Sequence, residues 1–211
     1  MKLYGAPQSP FVRKARIALE EKGLPYELEP LVPGLHPLGK MPVLRDGDVV
    51  VPDSSVICAY LERKHPAPAL YPEAPADLAR ALFLEEYADA RMAEGMGPIV
   101  LERILKPQLF GQPTDEARLR ELQDAAAARW FGRSTSAAGQ PLASVMDYLE
   151  SQLPEGRDSV LARFSIADVA LGAHLGWLEP AGLALDTKRW PRTARYYEAL
   201  RARPSFKTAL A

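Results

Sequence analysis

Residues 9–23 read SPFVRKARIALEEKG, and the rest of the first domain is laid out around this stretch. A serine immediately before Pro10 marks a helix start. Ser9 takes the N-cap, and Pro10, whose φ is preset near the helical value and which has no N–H to lose, takes the first turn. From there Val12, Ala15, Ile17, Ala18 and Leu19 form an apolar side, with Arg13, Lys14, Arg16, Glu20 and Glu21 opposite them. That alternation predicts an amphipathic helix over 10–22, closed by Gly23.

Strand patterns flank this helix at residues 2–5 and 26–31, which makes a βαβ unit. Beyond an irregular stretch at 33–39, short apolar runs at 43–45 and 49–51 are joined by Asp46-Gly47, a pairing that favours a tight hairpin turn. A helix over 53–64 follows, opened by Asp53-Ser54 and carrying Val56, Ile57, Tyr60 and Leu61 at helical spacing. The composition then changes, with Pro66, Pro68, Pro72 and Pro75 falling within ten residues. This linker, 65–76, separates a first domain of residues 1–70 from a second of residues 77–211. The second domain reads as all-α, with helices over 77–105, 115–131, 142–153, 166–178 and 191–201. No strand pattern of comparable strength appears there, and the Gly/Ser/Ala-rich 132–141 reads as a loop.

Composition bounds the function. The chain has 211 residues, 47% of them hydrophobic, and its 26 basic and 27 acidic residues nearly cancel. Nothing in that balance asks for nucleic acid. Met1-Lys2 runs directly into a strand pattern without an apolar leader, and no segment approaches the length of a membrane span, so the expected location is cytoplasmic. The single cysteine, Cys58, excludes an internal disulfide framework. Lying among apolar residues of the 53–64 helix, it reads as inert packing. Without a Cys-x-x-Cys pair or a cysteine at position 9, thiol–disulfide exchange is not expected. Farther on, Ser165-Ile166-Ala167-Asp168 is a capping box, with Phe164 placed to staple onto Val169; this is a structural signal for a buried helix.

Taken together, Ser9 to Gly23, His36-Pro37-Leu38-Gly39-Lys40-Met41-Pro42-Val43-Leu44, Asp53-Ser54 and Phe164 to Asp168 resemble the cytosolic glutathione S-transferase family, in order and spacing across essentially the whole chain. The chain is most similar to the serine-type branches and lacks the doubled Ser-Ser followed by Cys or Ser that marks the zeta branch. The resemblance implies an α/β thioredoxin-like first domain (βαβ-ββα) that holds glutathione. It further implies an all-α helical second domain that helps to hold an electrophile, and a homodimer. Glutathione would be a co-substrate, no metal is expected, and detoxification is the usual role.

The chemistry has its own logic. A thiol with a pKa near ~8.5 is only a few per cent thiolate at neutral pH. A hydroxyl donor at a helix N-terminus, beside free backbone N–H groups, favours the anion. Lowering the pKa by about two units needs only ~2.7 kcal/mol. Ser9 fits the donor role, and Tyr4 is a rival; read from sequence alone, the Ser9 oxygen serves equally well as an ordinary N-cap acceptor. By the resemblance, Met41-Pro42 is a cis-proline turn whose backbone meets the cysteinyl part of glutathione, and Lys40 suits the glycyl carboxylate. Asp53 and Ser54 take the γ-glutamyl end at a helix N-terminus. His36 stands where many relatives carry asparagine, and Asp53 where many carry glutamate. Phe11, Met92 and Met96 are candidates for the electrophile pocket, with Leu109, Phe110 and Trp177 behind them. Two other readings stay open: an interaction protein on this fold without turnover, and a dedicated glutathione-dependent isomerase or dehalogenase.

Overall fold

A computed structural model describes residues 1–107, 111–132, 134–135 and 139–211. The first domain follows the expected order: β1 (Lys2–Tyr4), α1 (Pro10–Glu21), β2 (Glu27–Glu29), β3 (Val43–Asp46), β4 (Val49–Pro52) and α2 (Ser54–Lys64). The sheet order is β2-β1-β3-β4, with β1 and β2 parallel and the other pairs antiparallel. Both β1 and β2 point the same way because a helix, α1, crosses between them, as parallel pairing requires. The Asp46–Val49 pairing closes the β3–β4 hairpin across Gly47, whose φ of 62° suits the turn.

The register positions the site. Tyr4 pairs with Val43, and Val43 with Pro52. Consequently the chain leaving β1 at Gly5, the chain entering β3 through Met41-Pro42 and the chain leaving β4 at Asp53 all sit at one end of the sheet. Gly5 (φ 153°) lies where an added Cβ would come within 2.5 Å of Val12 and 3.2 Å of Met41, so the β1–α1 connection packs directly on that turn.

The second domain is helical, as expected, but more segmented. Instead of one helix over 77–105, the chain forms α3 (Pro75–Tyr87), a π-helical turn at Ala88–Met92, α4 (Met96–Val100) and a second π turn at Leu101–Leu105. The break falls at Gly95, which adopts a left-handed φ of 84° that hydrophobic periodicity alone does not register. Then come α5 (Glu116–Phe131), α6 (Val145–Gln152), α7 (Ile166–Leu175), α8 (Leu178–Ala181), α9 (Pro191–Ala202) and α10 (Pro204–Leu210). The expected 166–178 helix ends early, at Gly176, and α8 restarts it. Ser134–Thr135 pairs with Pro141–Leu142 in a two-residue ladder across the expected 132–141 loop, part of which lies outside the described residues, so the helix expected from 142 begins only at Val145. The terminal α10 was not expected, since a seven-residue helix restarted by Pro204 carries too short a pattern.

The capping box is present: the Asp168 carboxylate accepts from the Ser165 N–H at 2.8 Å, from the Val160 N–H at 2.8 Å and from the Tyr196 hydroxyl at 2.9 Å. Phe164, expected to staple onto Val169, makes its ring contact with Phe206 and carries Arg203 over its face at 3.8 Å. One continuous core spans both domains, from Leu3, Val12, Ile17 and Ile57 to Leu84, Trp130, Leu171 and Phe206. Among the described residues no helix is long and apolar enough to cross a membrane.

Candidate functional site

Ser9 caps α1 by position but not by side chain. Its backbone is extended (φ −68°, ψ 129°) and its carbonyl accepts the first helical bond, from Arg13, while its hydroxyl makes no hydrogen bond to the helix. With Pro10 in the first turn, the remaining N–H groups of that turn and the positive end of the helix lie next to a half-buried serine whose hydroxyl is uncommitted to the helix. The N-cap acceptor role that the sequence left open is thus not taken up by the Ser9 hydroxyl. Tyr4, the rival donor, is 5% exposed within β1.

Met41-Pro42 is a cis peptide bond. The Ala6 N–H lies 3.3 Å from the Met41 sulfur, and the Asp53 N–H donates to the Pro42 carbonyl at 3.2 Å. These contacts join the loop before Ser9, the proline turn and the start of α2. Asp53 itself has φ 77° and ψ 138°, a conformation costly for a residue with a side chain. It is held by its own carboxylate, whose Oδ1 accepts from the Ser55 and Val56 N–H groups at 2.9 and 3.2 Å. Asp53 is therefore the N-cap of α2, and Ser54 is its first residue, buried at the helix start. Capping and ligand binding remain compatible here, because one carboxylate oxygen is committed and the other is not.

Lys40 is exposed beside this turn. His36 uses Nδ1 to accept from the Leu38 N–H at 3.0 Å, so that nitrogen organises its own loop. Phe11 is half-buried and meets His174 edge-on at 5.3 Å. Met92 and Met96 are fully buried core residues and present no surface to a ligand. Trp177, also buried, donates its indole N–H to the Gln8 carbonyl at 2.8 Å. Leu109 and Phe110 lie outside the described residues.

Two features have no counterpart in the sequence reading. First, Arg13 and Lys14 do not face solvent: they are 6% and 0% exposed. The Arg13 guanidinium donates to the Gly176 carbonyl at 2.9 Å, so together with Trp177 it clamps the Ser9 loop and α1 to the end of α7. Second, the Lys14 ammonium sits among Glu85 Oε1 (2.7 Å), Asp89 Oδ2 (2.5 Å) and the Ser55 hydroxyl (2.7 Å). Burial alone would push this ammonium down, but the two carboxylates outweigh it and raise the pKa to about 12. His174, also in the cluster, is pushed down to about 4 by burial and is neutral near pH 7. Burial likewise pushes the Cys58 thiol up to about 12, which removes it from thiol chemistry. A lysine within a charged run reads as solvated, so nothing local in the sequence signals this cluster.

Comparison with known proteins agrees with the geometry. Family models described as the glutathione S-transferase N-terminal and C-terminal domains match residues 3–69 and 124–199. The chain is 30% identical over 226 residues to glutathione S-transferase 3 of Zea mays, covering 100% of this chain and 93% of that one. It is 30% identical over 224 residues to the maleylacetoacetate isomerase of Pseudomonas aeruginosa, covering 99% and 95%. Among solved structures, a glutathione S-transferase from Rhodospirillum rubrum superposes with a TM-score of 0.78 at 26% identity, covering 99% of this chain and 90% of that one.

Proposed function

Since the chain belongs to the glutathione S-transferase family, we propose that it binds glutathione at the α1, Met41-Pro42 and α2 end of the sheet and activates the thiol through Ser9. The observation that carries this reading is the Ser9 hydroxyl, uncommitted to its own helix and placed at the positive end of α1. Glutathione would lie with its cysteinyl backbone on Met41 and Pro42, its glycyl carboxylate toward Lys40 and its γ-glutamyl group at the N-terminus of α2, on Ser54 and Asp53. His36, through its loop, would shape the edge of that groove. The Ser9 hydroxyl donates to sulfur, and the α1 terminus adds its positive potential. The thiolate is then favoured at neutral pH without Ser9 ionising.

The sulfur attacks a small hydrophobic electrophile or a hydroperoxide held between Phe11 and the second domain, with binding and orientation supplying much of the acceleration. Detoxification in the cytoplasm and a homodimeric state complete the reading. The 30% identity to an isomerase favours, as a second reading, a glutathione-dependent isomerisation in which the thiolate adds to a double bond and is later expelled.

Calorimetric titration with glutathione, paired with thiolate absorbance of the complex across pH, tests the proposal. Saturable binding with a thiol pKa well below ~8.5 is expected. Binding without a shift would remove Ser9 activation, and absence of binding would leave an interaction protein on a transferase fold. Turnover of maleylacetoacetate but not of aryl halides would select the isomerase.

A further inference from the structure

The buried charge cluster lies between the two helices whose N-termini form the proposed glutathione site. Lys14 sits on α1, five residues beyond Ser9. Ser55 sits on α2, directly after Ser54. Glu85 lies on α3, and Asp89 lies in the π turn that follows it. The Lys14 Nζ donates to Ser55 Oγ and Asp89 Oδ2 and pairs by charge with Glu85 Oε1, which accepts no hydrogen bond, and the Ser55 hydroxyl donates to the same Asp89 oxygen at 3.1 Å. The other face of Asp89 is turned to His174, with Oδ1 3.9 Å from Nε2 and neither atom hydrogen-bonded. Since the other ring nitrogen, Nδ1, lies 3.0 Å from the Ala170 carbonyl and donates to it, a neutral His174 presents a lone pair to that oxygen.

To the close apolar packing between α1 and α2 these charge-assisted bonds to a buried ammonium add directional constraints that fix distance and orientation. Asp89 lies in the π turn that follows α3, a local winding often found at functional sites. The arrangement is costly to break, since removing the lysine leaves two carboxylates unpaired in a desolvated position. Breaking it at Ser55 is mild, because the Lys14–Asp89 and Lys14–Glu85 pairs survive.

We propose that Lys14, Asp89 and Ser55 are positioning residues that fix the start of α2, and so the γ-glutamyl anchor, at a set distance from the Ser9 hydroxyl. This rests on the glutathione-thiolate reading above. The sulfur and the γ-glutamyl group belong to one molecule, so a displaced anchor moves the thiol relative to its donor and affects affinity and activation together.

The test compares full-length wild type, Ser55→Ala, Ser55→Thr and Lys14→Met by calorimetry with glutathione, thiolate absorbance across pH and thermal melting. In Ser55→Ala the dissociation constant should rise about tenfold, the equivalent of about 1.4 kcal/mol of lost anchoring. The bound thiol pKa should move toward that of free glutathione, with little change in Tm. Ser55→Thr, which keeps the hydroxyl, should restore both readings. Lys14→Met should show the same two changes with a clear loss of Tm; if it fails to fold, the Ser55 pair decides alone. Wild-type affinity and thiol pKa in Ser55→Ala would overturn the inference and leave the cluster as a fold-holding device. Absence of glutathione binding in the wild type would instead overturn the reading beneath it.

Discussion

A serine at a helix N-terminus has two uses for its oxygen, and they compete. Where the hydroxyl accepts from N2 or N3, replacing it with alanine costs stability, typically ~1 kcal/mol. Ser9 makes no such bond, so Ser9→Ala should leave Tm nearly unchanged. It should lower turnover about 10- to 100-fold, the equivalent of one hydrogen bond to a charged group. Glutathione affinity at a pH below the thiol pKa should change little, because the anchors proposed at Met41, Lys40 and Ser54 persist. Steady-state kinetics with Ser9→Thr as the restoring control would check this, and equal turnover in wild type and alanine variant would sink the assignment. Glu21 gives a pH prediction of the same resolution. Burial pushes its carboxyl up, but the bonds from Arg203 (2.9 and 2.7 Å) and Ser205 (2.5 Å) prevail and hold it below the usual carboxylate range. A depressed carboxyl stabilises the fold fully above its unfolded pKa, and that contribution drains away as pH falls through the folded value. Arg203 is 38% exposed, so screening trims the pair to about 1 kcal/mol. Glu21→Gln should therefore melt about 2–4 °C lower at pH 7, and the gap should close progressively below about pH 4.

At the scale of elements, α7 organises the second domain and Asp168 organises α7. One carboxylate accepts from two backbone N–H groups, the Ser165 hydroxyl at 3.3 Å and the buried Tyr196 hydroxyl, and so joins the residues before the helix, its first turn and α9. Asp168→Ala should cost about 3 kcal/mol or more, since several buried donors lose their partner at once. Asp168→Asn, with one carbonyl oxygen to share among them, should fall between; urea titration gives the order. This device was legible as Ser165-x-x-Asp168, as were the βαβ-ββα order, the Asp46-Gly47 hairpin and the Ser9-Pro10 start, because each depends on residues near one another in sequence. The break at Gly95 was not read, although Gly95, Gly97 and Pro98 fall together within the 77–105 pattern, because the apolar spacing continues on both sides of them. Nor was the inward turn of Lys14, which depends on Glu85 and Asp89 more than seventy residues away. The clamp from Trp177 to Gln8 is longer-range still: it is a bond between domains, and in the sequence Trp177 is only an apolar residue within the expected 166–178 helix. The candidate site was thus readable where backbone motifs build it, and unreadable where the second domain holds it in place.

At the scale of the whole molecule, large apolar side chains are left exposed on β4, α2 and α3. The outer strand of the sheet, β4, exposes Val49 and Val50 at 47% and 39%, α2, which packs on it, exposes Val56, and α3 exposes Leu82 and Phe83. An edge strand with two bare valines is a liability that proteins blunt with charge, or cover. Large exposed aromatics carry a similar implication: Phe83, 54% exposed, is backed by Tyr87 and Tyr148 at 6.3 and 6.4 Å. A second copy of the chain is the simplest cover, because a two-fold interface matches one surface to itself. The wild type should then sediment at twice the monomer mass of 23.2 kDa at micromolar concentration. Phe83→Glu would bury a carboxylate opposite apolar side chains, or opposite its own copy, and should shift the species toward the monomer by two or more orders of magnitude in dissociation constant, or ~3 kcal/mol. Sedimentation equilibrium across a hundredfold dilution distinguishes the outcomes. A monomeric wild type would discard the two-fold reading. A Phe83→Glu variant as dimeric as the wild type would move the interface off α3. The Ser9 loop is held from within its own chain, by Trp177 and Arg13, so the monomeric variant should keep the depressed thiol pKa of bound glutathione even where turnover falls.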